Sequence, residues 1–192
     1  MKFLIPVLFL AFGLSSCGYT LRGSSRPFFA KHGIKVLYVP PVKNQSYKAG
    51  AEITLYNALR KKMAQGGYVS VIGDANLADA TLSAIVMDAS YVPAAITTAD
   101  QIAPLGSGPN SVQIASSYDV TLKVVFILSE NKTGKTLWRD VLRREKTFAA
   151  TTYIGPLGST SALINDSDFE RTLTDLSVGI CEDAEELINS IF

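Results

Sequence analysis

Few residues in this chain have the types and spacing needed for bond chemistry. Its single histidine, His32, lies next to Gly33. A Ser-His-Asp arrangement would have to use it, and no Gly-x-Ser-x-Gly nucleophile elbow is present. Structural or catalytic zinc requires several Cys or His ligands, more than one histidine with Cys17 and Cys181 can supply. Gly106-Ser107-Gly108 is followed by neither a lysine nor a helix start, so it is no phosphate loop. Asp166 and Asp168 read as loop and cap residues, not as a catalytic dyad. No catalytic set assembles, so we expect neither an enzyme nor a bound cofactor or metal.

The exception is Cys17, whose thiol is placed for acylation. Lys2 is followed by an apolar run from Phe3 to Leu14, then Ser15-Ser16-Cys17. A basic start, a short apolar core and small residues at the cut describe a secretory signal peptide. The run is too short to span a bilayer, which takes about 20 apolar residues. Leu14-Ser15-Ser16-Cys17 resembles the lipobox of bacterial lipoproteins, in which the cysteine is diacylated and becomes residue one. The plainer alternative is a signal peptide with an incidental cysteine. In the lipoprotein pattern, an Asp after the Cys retains the protein at the inner membrane. Gly18 stands there instead, which implies export to the outer membrane. Acyl chains of buried CH₂ groups, at about 0.8 kcal/mol each, anchor a protein without a spanning helix.

The chain has 192 residues and a formal net charge of +1. Removing residues 1–16 takes away one charge, Lys2, and leaves 17 bases against 17 acids. That balance argues against nucleic acid, which calls for a strong basic excess. With Cys17 lipidated, Cys181 has no partner, and stability rests on the core. We expect a signal peptide over 1–16, a lipidated tether over 17–33 and a single domain over 34–192.

Ile34 to Pro40 is rich in β-branched residues and reads as a strand. A polar loop follows to Gly50. Over Ala51–Gln65, Leu55, Tyr56, Leu59 and Met63 recur at helical spacing. Arg60, Lys61 and Lys62 suit the last turn, and Gly66-Gly67 suits a left-handed cap. Tyr68–Ile72 reads as a short strand, and Ala80–Val92 as a long one ended by Pro93. Residues 93–116 carry no Lys or Arg and read as a long loop, with Val112–Ala115 able to extend the next strand.

Ser117–Glu130 alternates clearly: Val120, Leu122, Val124, Phe126 and Leu128 on one face, Asp119, Thr121 and Lys123 on the other. Asn131–Gly134 is a hairpin turn, and Thr136–Phe148 is the return strand. Residues 149–166 form a second loop without Lys or Arg. Ser167-x-x-Glu170 fits a capping box, opening a helix to about Ile191. Its stripe runs Phe169, Leu173, Leu176, Ile180, Ala184, Leu187, Ile191, about 36 Å long. The expected fold is α+β in two layers, with two helices on one face of a mostly antiparallel sheet of four to five strands.

The chain resembles the lipopolysaccharide-assembly lipoprotein family, LptE. The resemblance begins at Cys17-Gly18-Tyr19-Thr20-Leu21-Arg22-Gly23 and continues through Asn57-Ala58-Leu59-Arg60. It includes Ala78-Asp79-Ala80-Thr81-Leu82, Gly134-Lys135-Thr136-Leu137-Trp138 and the terminal amphipathic helix. It implies an outer-membrane, lipid-anchored protein at the periplasmic face. Such a protein plugs the barrel of LptD, helps that barrel fold and assists delivery of lipopolysaccharide to the outer leaflet. Family members can bind lipopolysaccharide through basic residues near the sheet end flanked by the long loops. Here both loops lack Lys and Arg, and the nearest bases are Arg143, Arg144 and Lys146. These are the expected lipopolysaccharide contacts, because charge-assisted bonds to phosphate favour Arg. Surface charges that blunt an edge strand would look the same. The alternative function is a free-standing periplasmic lipoprotein that binds a small lipid or peptide.

Overall fold

The computed structural model describes residues 28–99, 112–150 and 160–190. The elements are α1 (Phe28–Lys31), β1 (Val36–Tyr38), β2 (Lys43–Asn44), α2 (Ala51–Gln65) and β3 (Ser70–Ile72). After a 3-10 turn (Ala75–Leu77) come β4 (Ala80–Ala99), β5 (Val112–Glu130), β6 (Thr136–Ala149) and α3 (Thr160–Ser190). The sheet order is β3-β1-β4-β5-β6, with β2 also paired to β4. The fold is α+β as expected, but the sheet is mixed. β1 runs parallel to both β3 and β4, and β2 runs parallel to β4, while β4, β5 and β6 are antiparallel. The parallel part arises because α2 carries the chain from β1 back to a strand beside it, a crossover that reverses nothing.

Alternation dictates the core. Val120, Leu122, Val124, Phe126 and Leu128 of β5 are all fully buried, as are Leu82 and Val86 of β4. Leu55, Leu59 and Met63 of α2, and Phe169, Leu173 and Ile180 of α3, close over them. Each such side chain contributes about 1.5–3 kcal/mol by leaving water. The α3 stripe holds through Ala184 and then passes to Ile188, which is buried, while Leu187 is only half-buried. Tyr91, Tyr118, Phe148 and Phe169 extend the core under the first half of α3, with ring centroids 4.7–6.5 Å apart.

The two long helices run in the same direction. Lys48, just before α2, pairs with Asp166 and Glu170, and Lys62, in its last turn, pairs with Glu182 and Glu185.

Three expectations need correction. Pro93 does not end its strand. β4 continues to Ala99 and pairs with β5 as far as Val112, so much of 93–116 is hairpin, not loop. Above Val86 no described strand lies on the outer side of β4, and register shifts follow directly after Pro93, so its missing N–H is tolerated there. Ser167 is not an N-cap. α3 begins at Thr160, and Glu170 is drawn to Lys48 at 2.6 Å instead of turning back to cap a helix. The polar 41–50 loop includes β2. The left-handed cap expected at Gly66-Gly67 is present: Gly66 closes α2 in a helical conformation and Gly67 takes the left-handed one (φ 69°).

Of the expected tether, residues 17–27 lie outside the described residues. Its last part forms α1, with Phe28 and Phe29 buried and the His32 ring tilted against Phe28 with centroids 4.2 Å apart.

Candidate functional site

Cys17 lies outside the described residues. The three basic candidates all sit on β6, the strand at one edge of the sheet, but alternation splits them. Arg144 and Lys146 face α3, and Arg143 faces the side that no described helix covers. Arg144 donates from Nε to Asp183 Oδ2 at 2.6 Å and from Nη2 to Oδ1 at 2.7 Å. This fork-to-carboxylate geometry is the strong form of the ion pair. The Asp183 hydrogen bond raises the Arg144 pKa further. Lys146 donates to Asp175 at 2.7 Å, two helical turns earlier on α3. Arg143 is exposed and donates to Glu145 on its own strand. The structure therefore spaces the three residues along one strand without gathering them into a pocket. Two of them already tie the edge strand to the helix.

The helix-free face of β4, β5 and β6 is ordered in rows. Ile85, Val125 and Val141 stand directly opposite one another across the three strands. Val125 is 8% exposed although no described helix covers it, because its neighbours in the row shield it. The next row is Asp88, Lys123 and Arg143, and the one after is Ser90, Thr121 and Glu145. The first row is apolar and the next two are polar, as on an antiparallel sheet with one face open to water. At the seam between β6 and α3, Leu142 and Leu187 floor an open groove of about 310 Å³, rimmed by Arg143, Asp183 and Glu186.

At the opposite end of the sheet is a polar knot that the sequence did not reveal. The Asp79 carboxylate accepts from the backbone N–H groups of Lys35 (2.9 Å) and Val36 (3.0 Å). Those two bonds, helped by the nearby charges of Lys132 and Lys35, hold its pKa below the usual value of 3.8. The Asn131 side chain donates to the carbonyls of Ala75 and Ala78, and its Oδ1 accepts from Thr81. Here the hairpin turn, the 3-10 turn and the start of β1 become one unit. The open depression beside it, about 610 Å³, is lined by these same satisfied groups. Asp79 lay in view within the Ala78-Asp79-Ala80 stretch, but nothing in its spacing announced a contact 43 residues away.

Lys48 is a third feature missed. Its ammonium reaches Glu170 (2.6 Å) and Asp166 (3.3 Å) and lies 4.9 Å from the Phe169 ring centre. The Glu170 hydrogen bond, first among several causes, raises its pKa. Cys181 is fully buried, and loss of solvation pushes its thiol up to about 12. No group of three His, Cys, Asp or Glu is placed to hold a metal among the described residues. No described helix is long and apolar enough to cross a membrane. The described residues offer surfaces and a firmly held scaffold.

Residues 34–184 match the sequence pattern of the family described as LptE, lipopolysaccharide-assembly. No curated protein matches the chain. Similar solved structures include a PelC dodecamer from Paraburkholderia phytofirmans, at 16% identity and TM-score 0.39, covering 76% of this chain and 83% of that one. Rare lipoprotein B from Shewanella oneidensis aligns at 14% identity and TM-score 0.40, covering 80% and 90% of the two chains. A putative lipoprotein from Caulobacter crescentus CB15 aligns at 9% identity and TM-score 0.43, covering 78% and 88%.

Proposed function

Because the chain belongs to the LptE lipopolysaccharide-assembly family, we propose that it is an outer-membrane lipoprotein. In this reading, acyl chains on Cys17 anchor it at the periplasmic face. Its folded domain plugs the lumen of an LptD-like β-barrel, supports assembly of that barrel and assists passage of lipopolysaccharide to the outer leaflet.

The observation that carries the reading is the extent of the family match, which runs from Ile34 to Ala184 and so takes in every strand of the sheet, α2 and most of α3. Supporting it, the leader has a lipobox-like cysteine, and the helix-free face is polar enough to lie against the water-filled interior of a barrel. Arg143 is the base best exposed toward a lipopolysaccharide phosphate. Arg144 and Lys146 would have to exchange Asp183 and Asp175 for one.

The test is affinity purification of the full chain from detergent-solubilised outer membrane. We expect a large barrel protein to co-purify in about one-to-one ratio. A chain recovered alone would sink the reading and favour a free-standing periplasmic binder of a small lipid or peptide.

A further inference from the structure

We propose that the outer edge of β4 between Asp88 and Val92 takes up an extended strand of the barrel partner through main-chain hydrogen bonds. This rests on the reading above that the chain works inside a barrel complex, and it assigns the contact to one short stretch of backbone.

Among the described residues, the lane alongside β4 is only half filled. β1 occupies it opposite Ala80 and Thr81, and β2 occupies it opposite Ile85 and Val86. The last bond on that side runs from the Gln45 N–H to the Val86 carbonyl at 2.8 Å. Beyond it the chain turns away toward α2, while β4 continues to Ala99. No described residue pairs with β4 from that side above Val86. A row of unpaired N–H and C=O groups is a template for another strand.

The opposite edge of the sheet is protected where this one is not. On β6 the Asp140 carboxylate accepts the N–H of Val141 at 2.7 Å, which blocks an edge donor. Arg139, Arg143 and Glu145 add charge along the same strand. Charged side chains are how sheets discourage edge pairing. The β4 window carries one charge, Asp88, and exposes Tyr91 (42%) and Val92 (58%).

Pro93, which has no N–H, and the register shifts after it close the window from above. What remains is five residues, about 17 Å of strand, an ordinary length for an added strand. The window is also held rigid from the helix side, since Ala89 is buried and Tyr91 packs on Phe169 and Tyr118. In strand addition the backbone supplies affinity and alternate side chains supply selectivity. The exposed Val92 and Tyr91 favour apolar side chains on the incoming strand.

Residue-resolved amide exchange on the full chain, alone and in its solubilised barrel complex, tests this. Within Asp88–Val92, the amides not bonded to β5 should exchange freely in the isolated chain. They should slow by on the order of tenfold or more in the complex, while the β6 edge stays unchanged. Val92→Lys, which places a charge on the edge without touching the core, should abolish that slowing. Slow exchange already in the isolated chain would mean that another segment of this chain fills the lane, and would overturn the proposal. So would a complex that forms with these amides still exchanging freely, although that result leaves the barrel reading standing. If no barrel co-purifies, both readings fall together.

Discussion

The Arg144 guanidinium occupies the space that a side chain on Gly179 would need. A β-carbon built on Gly179 would collide with Arg144 Nη1 and crowd its Cζ. The glycine sits in the interior of α3, where it costs about 1 kcal/mol relative to Ala. That cost is offset by letting the edge strand reach across to Asp183 on the next turn. We expect Gly179→Ala to destabilise the wild-type domain by about 1 kcal/mol, because the displaced arginine outweighs the gain in helix propensity. In an Arg144→Ala background the same change should stabilise by about 0.5–1 kcal/mol. Denaturant unfolding of the four proteins gives the cycle. Stabilisation in both backgrounds would refute the steric link.

Asp79 makes stability depend on acid. Its folded pKa lies below 3.8, so its contribution is complete above that value and is lost as pH falls through the depressed folded pKa. Asp79→Asn should lower stability at pH 7 by about 1–2 kcal/mol, since the carboxylate's charge-assisted bonds to Lys35 and Val36 are weakened. The gap between variant and wild type should narrow as the pH falls below about 4. Urea midpoints measured across that range check it, and a constant gap would contradict it.

Cys181 should be inert in the folded protein. It is fully buried with its thiol pushed to about 12, and thiolate is the reactive form. Peptide mapping after alkylation at pH 8 should find Cys181 unmodified in native protein and fully modified in urea. Modification at comparable rates in both states would show that α3 opens far more readily than its packing implies.

The basic residues of β6 should divide into two kinds. Arg143→Ala should weaken lipopolysaccharide binding several-fold and leave the denaturant midpoint unchanged, because its only described partner is Glu145 on an exposed strand. Arg144→Ala should cost stability by about 0.5–1.5 kcal/mol through loss of the Asp183 pair. If the triple variant Arg143→Ala, Arg144→Ala, Lys146→Ala binds lipopolysaccharide as the wild type does, the assignment of all three fails.

The sequence was most legible where one periodicity governed a long run. β5 alternates so strictly that both of its faces were assigned correctly, and α2 was placed over Ala51–Gln65 from its apolar spacing. Elements whose cause lies elsewhere in the chain were hidden. β2 is two residues long and exists because β4 offers it a lane. The first turns of α3 contain no local start signal stronger than Ser167, and Lys48, more than a hundred residues earlier, holds that region. Pro93 stands in a strand because of what is missing on its outer side. The candidate site divided the same way. Which bases lie on β6 could be read directly, but not that two of them were already committed to Asp175 and Asp183.

The parallel placement of β1 has a mechanical consequence. Any tension entering through residue 28 meets the buried pair Phe28 and Phe29 first, and then the start of β1. β1 lies between β3 and β4 and is parallel to both, and Asp79 clamps its first backbone amides. Pulled along its axis, such a strand must break its bonds to two neighbours together and cannot peel from one end. A pull through residue 28 is therefore met in shear by two neighbours at once, whereas β6 has a single strand neighbour, from which it can be peeled pair by pair.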